Sequence, residues 1–397
     1  MQRIDIVKKQ NCTGCAACSA ICPKQCIKMK EDDKGGYLYP AIQENDCIKC
    51  GLCVSVCQAI SYEFTFKDEI KAYIGTASID DVKKSASGGV TTSISHAFIN
   101  NGGVVYGSVF TSDLKVVHQR AETLIETELY RKSKYVQSNI STCFKLIEND
   151  LKKGLSVLFT GTSCQCAAIN KYLIAKRVST DRLCTINLLC HGVPSQHLFD
   201  VYKNELETKS KRKIKSYTFK NKKPVNGIIN SRTAEIIYDN GITELVGIEQ
   251  DSFLKMYYSK LAYRPSCMNC QFACRERIAD ITVADAWNIE QIMRDLNPLA
   301  GISMILVNSC KGADLFKSVK TTIKHEKIST EWALNSQSLF KEPTKAHKNR
   351  NDFLKSYQNE GFDYSVWKYT KLSLIIRLKI IIKRFFLKKV KLKIWLI

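Results

Sequence analysis

The sequence predicts a small α+β module rich in cysteine, then a larger α/β domain, then a basic helical C-terminal tail. Three observations carry this reading. Nine of the eighteen cysteines fall within the first 57 residues. From about residue 70, apolar strand-like runs alternate with helical segments. Residues 371–397 hold nine Lys/Arg and no acid.

The cysteine-rich module comes first. Cys12, Cys15, Cys18, Cys22 and Pro23 reproduce the C-x2-C-x2-C-x3-C-P run of bacterial ferredoxins at every spacing. Cys47, Cys50, Cys53 and Cys57 repeat the run, with Gln58 in place of the proline. Three thiolates spaced by two residues wrap one loop around three irons of a cubane, and the fourth iron is ligated from the other run. Cys12, Cys15, Cys18 and Cys57 are therefore expected to hold one 4Fe–4S cluster, and Cys47, Cys50, Cys53 and Cys22 a second. Zinc would take two ligands from each of two separated hooks, a pattern these runs do not follow. Gly35-Gly36-Tyr37-Leu38-Tyr39-Pro40 reads as a hairpin between the runs. Cys26 lies outside the spacing and reads as a buried thiol. The N-terminal residues Met1–Gln10 contain no apolar targeting run, so clustered cysteines read as metal ligands in a cytoplasmic protein rather than as disulfides.

The α/β domain follows. Gly102–Phe110, Leu155–Thr160 and Thr185–Leu189 are apolar runs of strand type. Helices are expected over Val90–Asn100, over Cys166–Arg177 and after Ser195. Such strand–loop–helix units place ligands at strand C-termini. Ser87-Gly88-Gly89 and Gly161-Thr162-Ser163 are glycine-containing turns opening helices, suited to an anion or serving as plain turns. The chain has no GxGxxG, which argues against a Rossmann nucleotide site. Cys267 and Cys270 form a C-x2-C hook, and Cys164 and Cys190 each end an expected strand. These four either make a third metal site or are buried thiols beside an incomplete hook. His118 and His191 read first as structural histidines.

These segments occur in a set order: Ser87-Gly88-Gly89-Val90, Lys134–Ser138, Gly161–Gln165, Cys190–Ser195, Arg264–Cys270 and Ala279–Trp287. Together they resemble the coenzyme F(420) hydrogenase/dehydrogenase beta-subunit family over about residues 75–300. That family includes deazaflavin-oxidising subunits, ferredoxin-dependent reductases of chlorophyll metabolism and bacterial polysaccharide-locus oxidoreductases. The resemblance implies an FAD and at least one 4Fe–4S cluster in the α/β domain, giving a two-cluster ferredoxin module followed by a flavin- and iron-sulfur-binding domain. It further implies a flavin cradle from Ser87, Gly88, Gly89, Lys134, Tyr135, Gly161, Thr162 and Gln165, with His191 as a proton donor nearby. Ser163 stands where the family has proline, Ala284-Asp285-Ala286 where it has a Gly-Asp-Phe run, and Cys274 is an addition.

The implied organisation is a ferredoxin domain over 1–68, a flavin domain over 69–310 whose two family parts meet near 155, and a helical extension over 311–397. The ferredoxin module reads as an appended wire. The implied function is electron passage between ferredoxin-type clusters and FAD, and on to or from an organic substrate or deazaflavin coenzyme. The alternative is a non-catalytic subunit relaying electrons to a partner enzyme. A ferredoxin or a reduced deazaflavin is the expected partner.

The formal net charge of +22 is unevenly spread. In the tail, Arg377, Arg384, Lys388 and Lys391 fall along one helical stripe, and charges interrupt every long apolar run. It is expected to lie on an anionic membrane surface rather than to span it. The Lys209–Lys223 cluster reads as a solvated face. No basic–aromatic recognition motif accompanies either patch, so nucleic acid is not an expected partner.

Overall fold

The computed structural model describes residues 2–62, 70–222, 232–287 and 301–371. In the N-terminal module, α1 (Ala17–Ile21) and α2 (Leu52–Ser55) each follow the first two cysteines of a run. The hairpin of β1 (Ile27–Glu31) and β2 (Leu38–Ile42) lies between them, antiparallel as the Gly35-Gly36 turn suggests.

The α/β domain is built on an eight-stranded mixed sheet. Its strands are β3 (Lys71–Thr76), β4 (Val104–Phe110), β5 (Val116–Ala121), β6 (Val157–Thr162), β7 (Leu183–Leu188), β11 (Ile281–Asp285), β12 (Ser303–Val307) and β13 (Lys324–Ile328), in the order β13-β3-β12-β11-β7-β6-β4-β5. β4, β6, β7 and β11 are mutually parallel along the centre, and the remaining pairings are antiparallel. Helices α4 (Val90–Asn100) and α10 (Cys310–Val319) cover one face, and α6 (Cys143–Lys152) and α7 (Ser163–Ala175) the other. Val105 and Leu158 point to the first face, and Val104, Tyr106, Val157 and Phe159 to the second. Both faces are buried, which is why these strands read as unbroken apolar runs rather than as alternations.

The expected helix over Val90–Asn100 is found with those bounds, and the other expected strands and helices lie within three residues of their positions. One expectation is corrected. The α/β domain does not end at residue 310, because α10 packs on the sheet and β13 pairs with β3 as its edge. The strand Lys-His-Glu-Lys-Ile is mostly polar, as an edge strand is, and so carried no strand signal.

A second layer holds a three-stranded antiparallel sheet of β8 (Ile214–Thr218), β9 (Thr233–Tyr238) and β10 (Thr243–Gly247). It shares an aromatic core with α8 (Gln196–Ser210), α9 (Ser252–Tyr258), α12 (Arg350–Glu360) and α13 (Phe362–Thr370). Further short helical segments are α3 (Ile79–Lys84), α5 (Leu124–Thr127), α11 (Thr330–Asn335) and the 3-10 turn Pro265–Asn269.

The ferredoxin module is not an appendage. Ala17, Ile21 and Val56 belong to the same buried cluster as Val157, Phe159 and Tyr172 on the α6–α7 face. Tyr37 and Tyr39 of the hairpin belong to the aromatic core of the second layer, where the Tyr37 hydroxyl donates to the Ala262 carbonyl at 2.8 Å. Each fully buried aliphatic side chain contributes about 1.5–3 kcal/mol, so the module is held in a fixed place. The wire is built in.

Among the described residues no helix is long and apolar enough to cross a membrane. The tail beyond Lys371, and with it the expectation of a membrane surface, lies outside the described residues.

Candidate electron-transfer site

The C-terminal ends of β3, β4, β6, β7 and β11 share one edge of the large sheet, since β12 runs antiparallel to both β11 and β3. Nearly every candidate residue of the α/β domain lies along this edge, where parallel strands leave their ligand crevice.

The first run and Cys57 come together. The thiols of Cys12, Cys15 and Cys57 all lie close enough to raise the Cys18 pKa, on top of burial, which raises it most. Burial likewise pushes Cys57 up to about 11, with Cys15 and Cys12 adding to it. Backbone N–H groups of Gly14, Ser19, Ala59 and Ile60 point at these sulfurs and favour thiolate. Gly14 has φ +67°, and a Cβ there would lie 2.5 Å from Nη1 of Arg264, so both conformation and space require glycine.

Cys22, Cys47, Cys50 and Cys53 line one cavity at the far end of the module, where Cys50 is exposed. Cys26 shares this cavity. Its sulfur lies 3.4 Å from that of Cys22, and burial followed by the Cys22 thiol pushes it up to about 12. Its side chain is buried.

Cys164, Cys190, Cys267 and Cys270 also converge. Cys164 sits in the first turn of α7, Cys190 just beyond β7, and the other two on the 3-10 turn and its end. Burial pushes Cys164 up to about 12; a hydrogen bond with the Thr162 hydroxyl opposes this, and Cys270, Cys267 and Cys15 add to it. Cys190 is raised by burial, then by Cys267 and Cys164. N–H groups of Gly192, Val193, Phe272 and Ala273 point at these sulfurs. A ring of thiols met by N–H donors and by no carboxylate has the donor chemistry a 4Fe–4S cluster needs. Among the described residues no three His, Cys, Asp or Glu are gathered closely enough to hold a single metal ion. Cys274 is not in the ring; its sulfur faces the carbonyls of Gln271 and Glu276.

The first and third sets adjoin, since Cys15 reaches Cys164 electrostatically. Gln58 makes the join. Its amide donates to the Cys164 carbonyl at 2.7 Å and to the Thr13 hydroxyl at 3.0 Å, while Gln271 donates to the Gln58 carbonyl at 3.0 Å. The glutamine that replaces the expected proline is thus a docking residue, and proline offers no side-chain amide for these bonds.

The expected flavin cradle divides. Ser87-Gly88-Gly89 sits over the ends of β3 and β12. A Cβ on Gly88 would lie 2.6 Å from the Gly75 carbonyl, so the turn packs too tightly for a side chain. Lys134 lies on a loop whose Arg131 bonds Asp81 at 2.7 Å, ahead of this turn. Its ammonium donates to the carbonyls of Leu129 and Arg131, and no carboxylate pairs with it among the described residues. Burial and then Lys132 lower its pKa to about 7. Nη1 of Arg131 is buried without a partner among the described residues.

Gly161, Thr162 and Gln165 stand at the start of α7. Gln165 accepts from the Thr162 N–H at 2.9 Å and donates to Ser138, fixing the start of α7 and hence Cys164. Along β6-β7-β11-β12 they stand about 14 Å from the Ser87 turn, at 4.7–4.9 Å per strand. Tyr135 stacks on Tyr257 at 4.2 Å, and Tyr257 feels the charge of Cys190. His191 lies between the two groups, its pKa lowered by burial and Lys260 and raised by Asp285. His118 is structural as expected, bonded to the Thr160 carbonyl at 2.8 Å and to Ser138 at 2.9 Å.

Of the Lys209–Lys223 cluster, Lys223 lies outside the described residues, and the members up to Lys222 do not form one solvated face. Lys209, Arg212 and Lys213 pair with Glu205, Glu244 and Glu207 at the surface, but Lys220 and Lys222 turn inward. Lys220 is buried against Asp285 at 2.8 Å, and Lys222 donates to the carbonyls of Ser87 at 2.6 Å and Val82 at 2.8 Å. Burial and Lys220 lower the Lys222 pKa to about 8. A lysine run carries no sign of which members point inward. Arg131 is paired with Asp81 and Glu128, so the cations left to meet an anionic group such as a dinucleotide's diphosphate are Lys222 at the turn and Lys134 on the neighbouring loop.

Residues 154–331 match the family described as the C terminus of the beta subunit of coenzyme F420 hydrogenase/dehydrogenase, and residues 11–59 match the 4Fe-4S dicluster domain. No curated protein matches the chain. Among solved structures, the chain is similar to a chain of the F420-reducing [NiFe] hydrogenase complex from Methanosarcina barkeri. The identity is 16% and the TM-score 0.43, over 64% of this chain and 81% of that one.

Proposed function

We propose that this chain, which belongs to the coenzyme F(420) hydrogenase/dehydrogenase beta-subunit family and carries a 4Fe-4S dicluster domain, is an iron–sulfur flavoprotein oxidoreductase. Electrons pass between the N-terminal 4Fe–4S clusters and FAD, and on to or from an organic substrate or deazaflavin coenzyme. The observation that carries this reading is the succession of three cysteine sets. The outer set is solvent-exposed at Cys50, and the innermost, with Cys190, is followed by His191, which Asp285 links through Lys220 and Lys222 to the basic turn at Ser87.

Cys164, Cys190, Cys267 and Cys270 are the ligands of a third 4Fe–4S cluster in this reading. Ser87, Gly88, Gly89, Lys134 and Lys222 hold the phosphates of FAD, while Gly161, Thr162 and Gln165 hold the cluster side of the site. FAD, when bound, supplies exchange between two-electron and one-electron carriers, which a chain of one-electron clusters requires.

Phosphate binding favours protonated Lys134, whose pKa is about 7 in the free protein. FAD affinity is therefore expected to fall as pH rises above about 7, and the Lys134→Met variant to bind FAD weakly with a flatter profile. Fluorescence titration of the flavin-depleted protein checks this. An affinity independent of pH in both proteins removes Lys134 from the site.

Burial and then Lys260 lower the His191 pKa, against Asp285, and His191 is a group available for proton transfer beside Cys190. His191→Ala is expected to keep FAD and iron but lose turnover by ~10²-fold. Full turnover at full flavin occupancy rules the role out.

The family description is of a subunit, which favours one second reading, a relay that passes electrons to a partner enzyme without a substrate of its own. The purified chain would then reduce artificial one-electron acceptors but no organic substrate or deazaflavin.

A further inference from the structure

Arg264 is the largest fully buried side chain in the described structure, and it lies where two cysteine sets meet. Its guanidinium donates to the Cys12 carbonyl at 2.8 Å, to the Leu38 carbonyl at 2.7 Å and to Gln137 at 3.1 Å. Nη2 also lies 3.9 Å from the Cys12 sulfur, and the group sits 4.6 Å from the centre of the Tyr39 ring. No carboxylate neutralises it among the described residues; its partners there are carbonyls, an amide, rings and a thiol. Three residues on is Cys267 of the third set, whose thiol pKa the same charge lowers against the dominant effect of burial.

An arginine needs no such burial to crosslink two carbonyls. A full positive charge in a dry site is costly unless negative charge faces it, and here the negative charge would be that of thiolate-ligated clusters on two sides. A fixed cation beside a cluster stabilises the form carrying the additional electron and raises its potential. Arg277 is placed similarly near Cys270, and Arg350 near Cys267. Among the described residues no buried arginine faces Cys22, Cys47, Cys50 or Cys53. Arg3, the arginine of that cavity, is paired with Asp5 and Glu44.

We propose that Arg264 is a redox-positioning residue whose buried charge lies between the Cys12 set and the Cys267 set and draws electrons inward from the exposed outer cluster. The inference rests on the three-cluster reading above. It adds the direction in which electron occupancy falls out along the wire: low potential outside, higher potential inside.

The test is an anaerobic, EPR-monitored redox titration of the full chain, with the outer cluster identified by the signal that changes in Cys50→Ser. Arg264→Gln, which removes the charge, should lower both inner potentials by about 59 mV, a tenfold change in one-electron occupancy, and leave the outer one in place. Arg264→Lys, which keeps the charge but not the fork, should retain most of the wild-type values. Equal shifts in both variants, or none in either, overturn the inference. If neither variant assembles its clusters, the unaltered protein decides, since an outer cluster of higher potential than the inner two also overturns it. Iron analysis on the same samples separates this from failure of the parent reading, in which about eight irons rather than twelve are found per chain.

Discussion

Replacing Cys267 with serine is expected to remove about four irons per chain while leaving the two N-terminal clusters in place. Cys267 lies in the third set and touches neither run of the ferredoxin module as a ligand. Its loss leaves Cys164, Cys190 and Cys270 as three thiols in a buried site, where burial holds all three towards the protonated form. A cubane lacking its fourth strong ligand in such surroundings is unstable. The consequence for function is larger than the loss of iron, since the two N-terminal clusters then have no third cluster to pass electrons to. FAD should remain bound, and its reduction by electrons entering at Cys50 should slow by orders of magnitude. Iron and sulfide analysis with stopped-flow flavin absorbance measures both effects. Unchanged iron in Cys267→Ser would mean that the hook holds no cluster.

Tyr37→Ala is expected to cost about 3–5 kcal/mol, in the range of a large aromatic truncation in a core, plus about 1 kcal/mol for its bond to Ala262. The ring is buried in the aromatic core of the second layer, with Arg264 and Arg350 beside it. No ligand of the two N-terminal clusters is touched, so those clusters should persist, while Cys267 of the third set lies within electrostatic reach of the Tyr37 hydroxyl. What is lost is the fixed placement of the Cys12 set against Cys164. The variant should unfold at lower denaturant and release its N-terminal module to protease sooner than the parent. Stability equal to the parent would mean that the module is held by the α6–α7 face alone.

These residues also show what could be read from the chain. The ferredoxin cysteines were legible because each run carries its geometry in local spacing. The strands around Val105, Leu158 and Ile186 were legible because burial on both faces leaves continuous apolar runs. Convergence of Cys164 and Cys190 on the hook was open in the sequence, since it depends on which strands are neighbours, and β6, β7 and β11 come together across a hundred residues. A charge run reveals no direction, so the sequence alone puts Lys220 and Lys222 on a solvated face although both turn inward. Gln58 was visible as a departure from the motif, but its meaning needed the carbonyl of Cys164 in place. The same holds for Arg264, which in sequence is one member of the hook segment and in space is the contact between two cysteine sets.

The central claim is that the wire has three clusters and ends at a flavin. Anaerobic purification of the full chain, with iron, sulfide and flavin quantified together, tests it most directly. About twelve irons, about twelve sulfides and one FAD per chain are expected. About eight irons and no flavin would contradict the account.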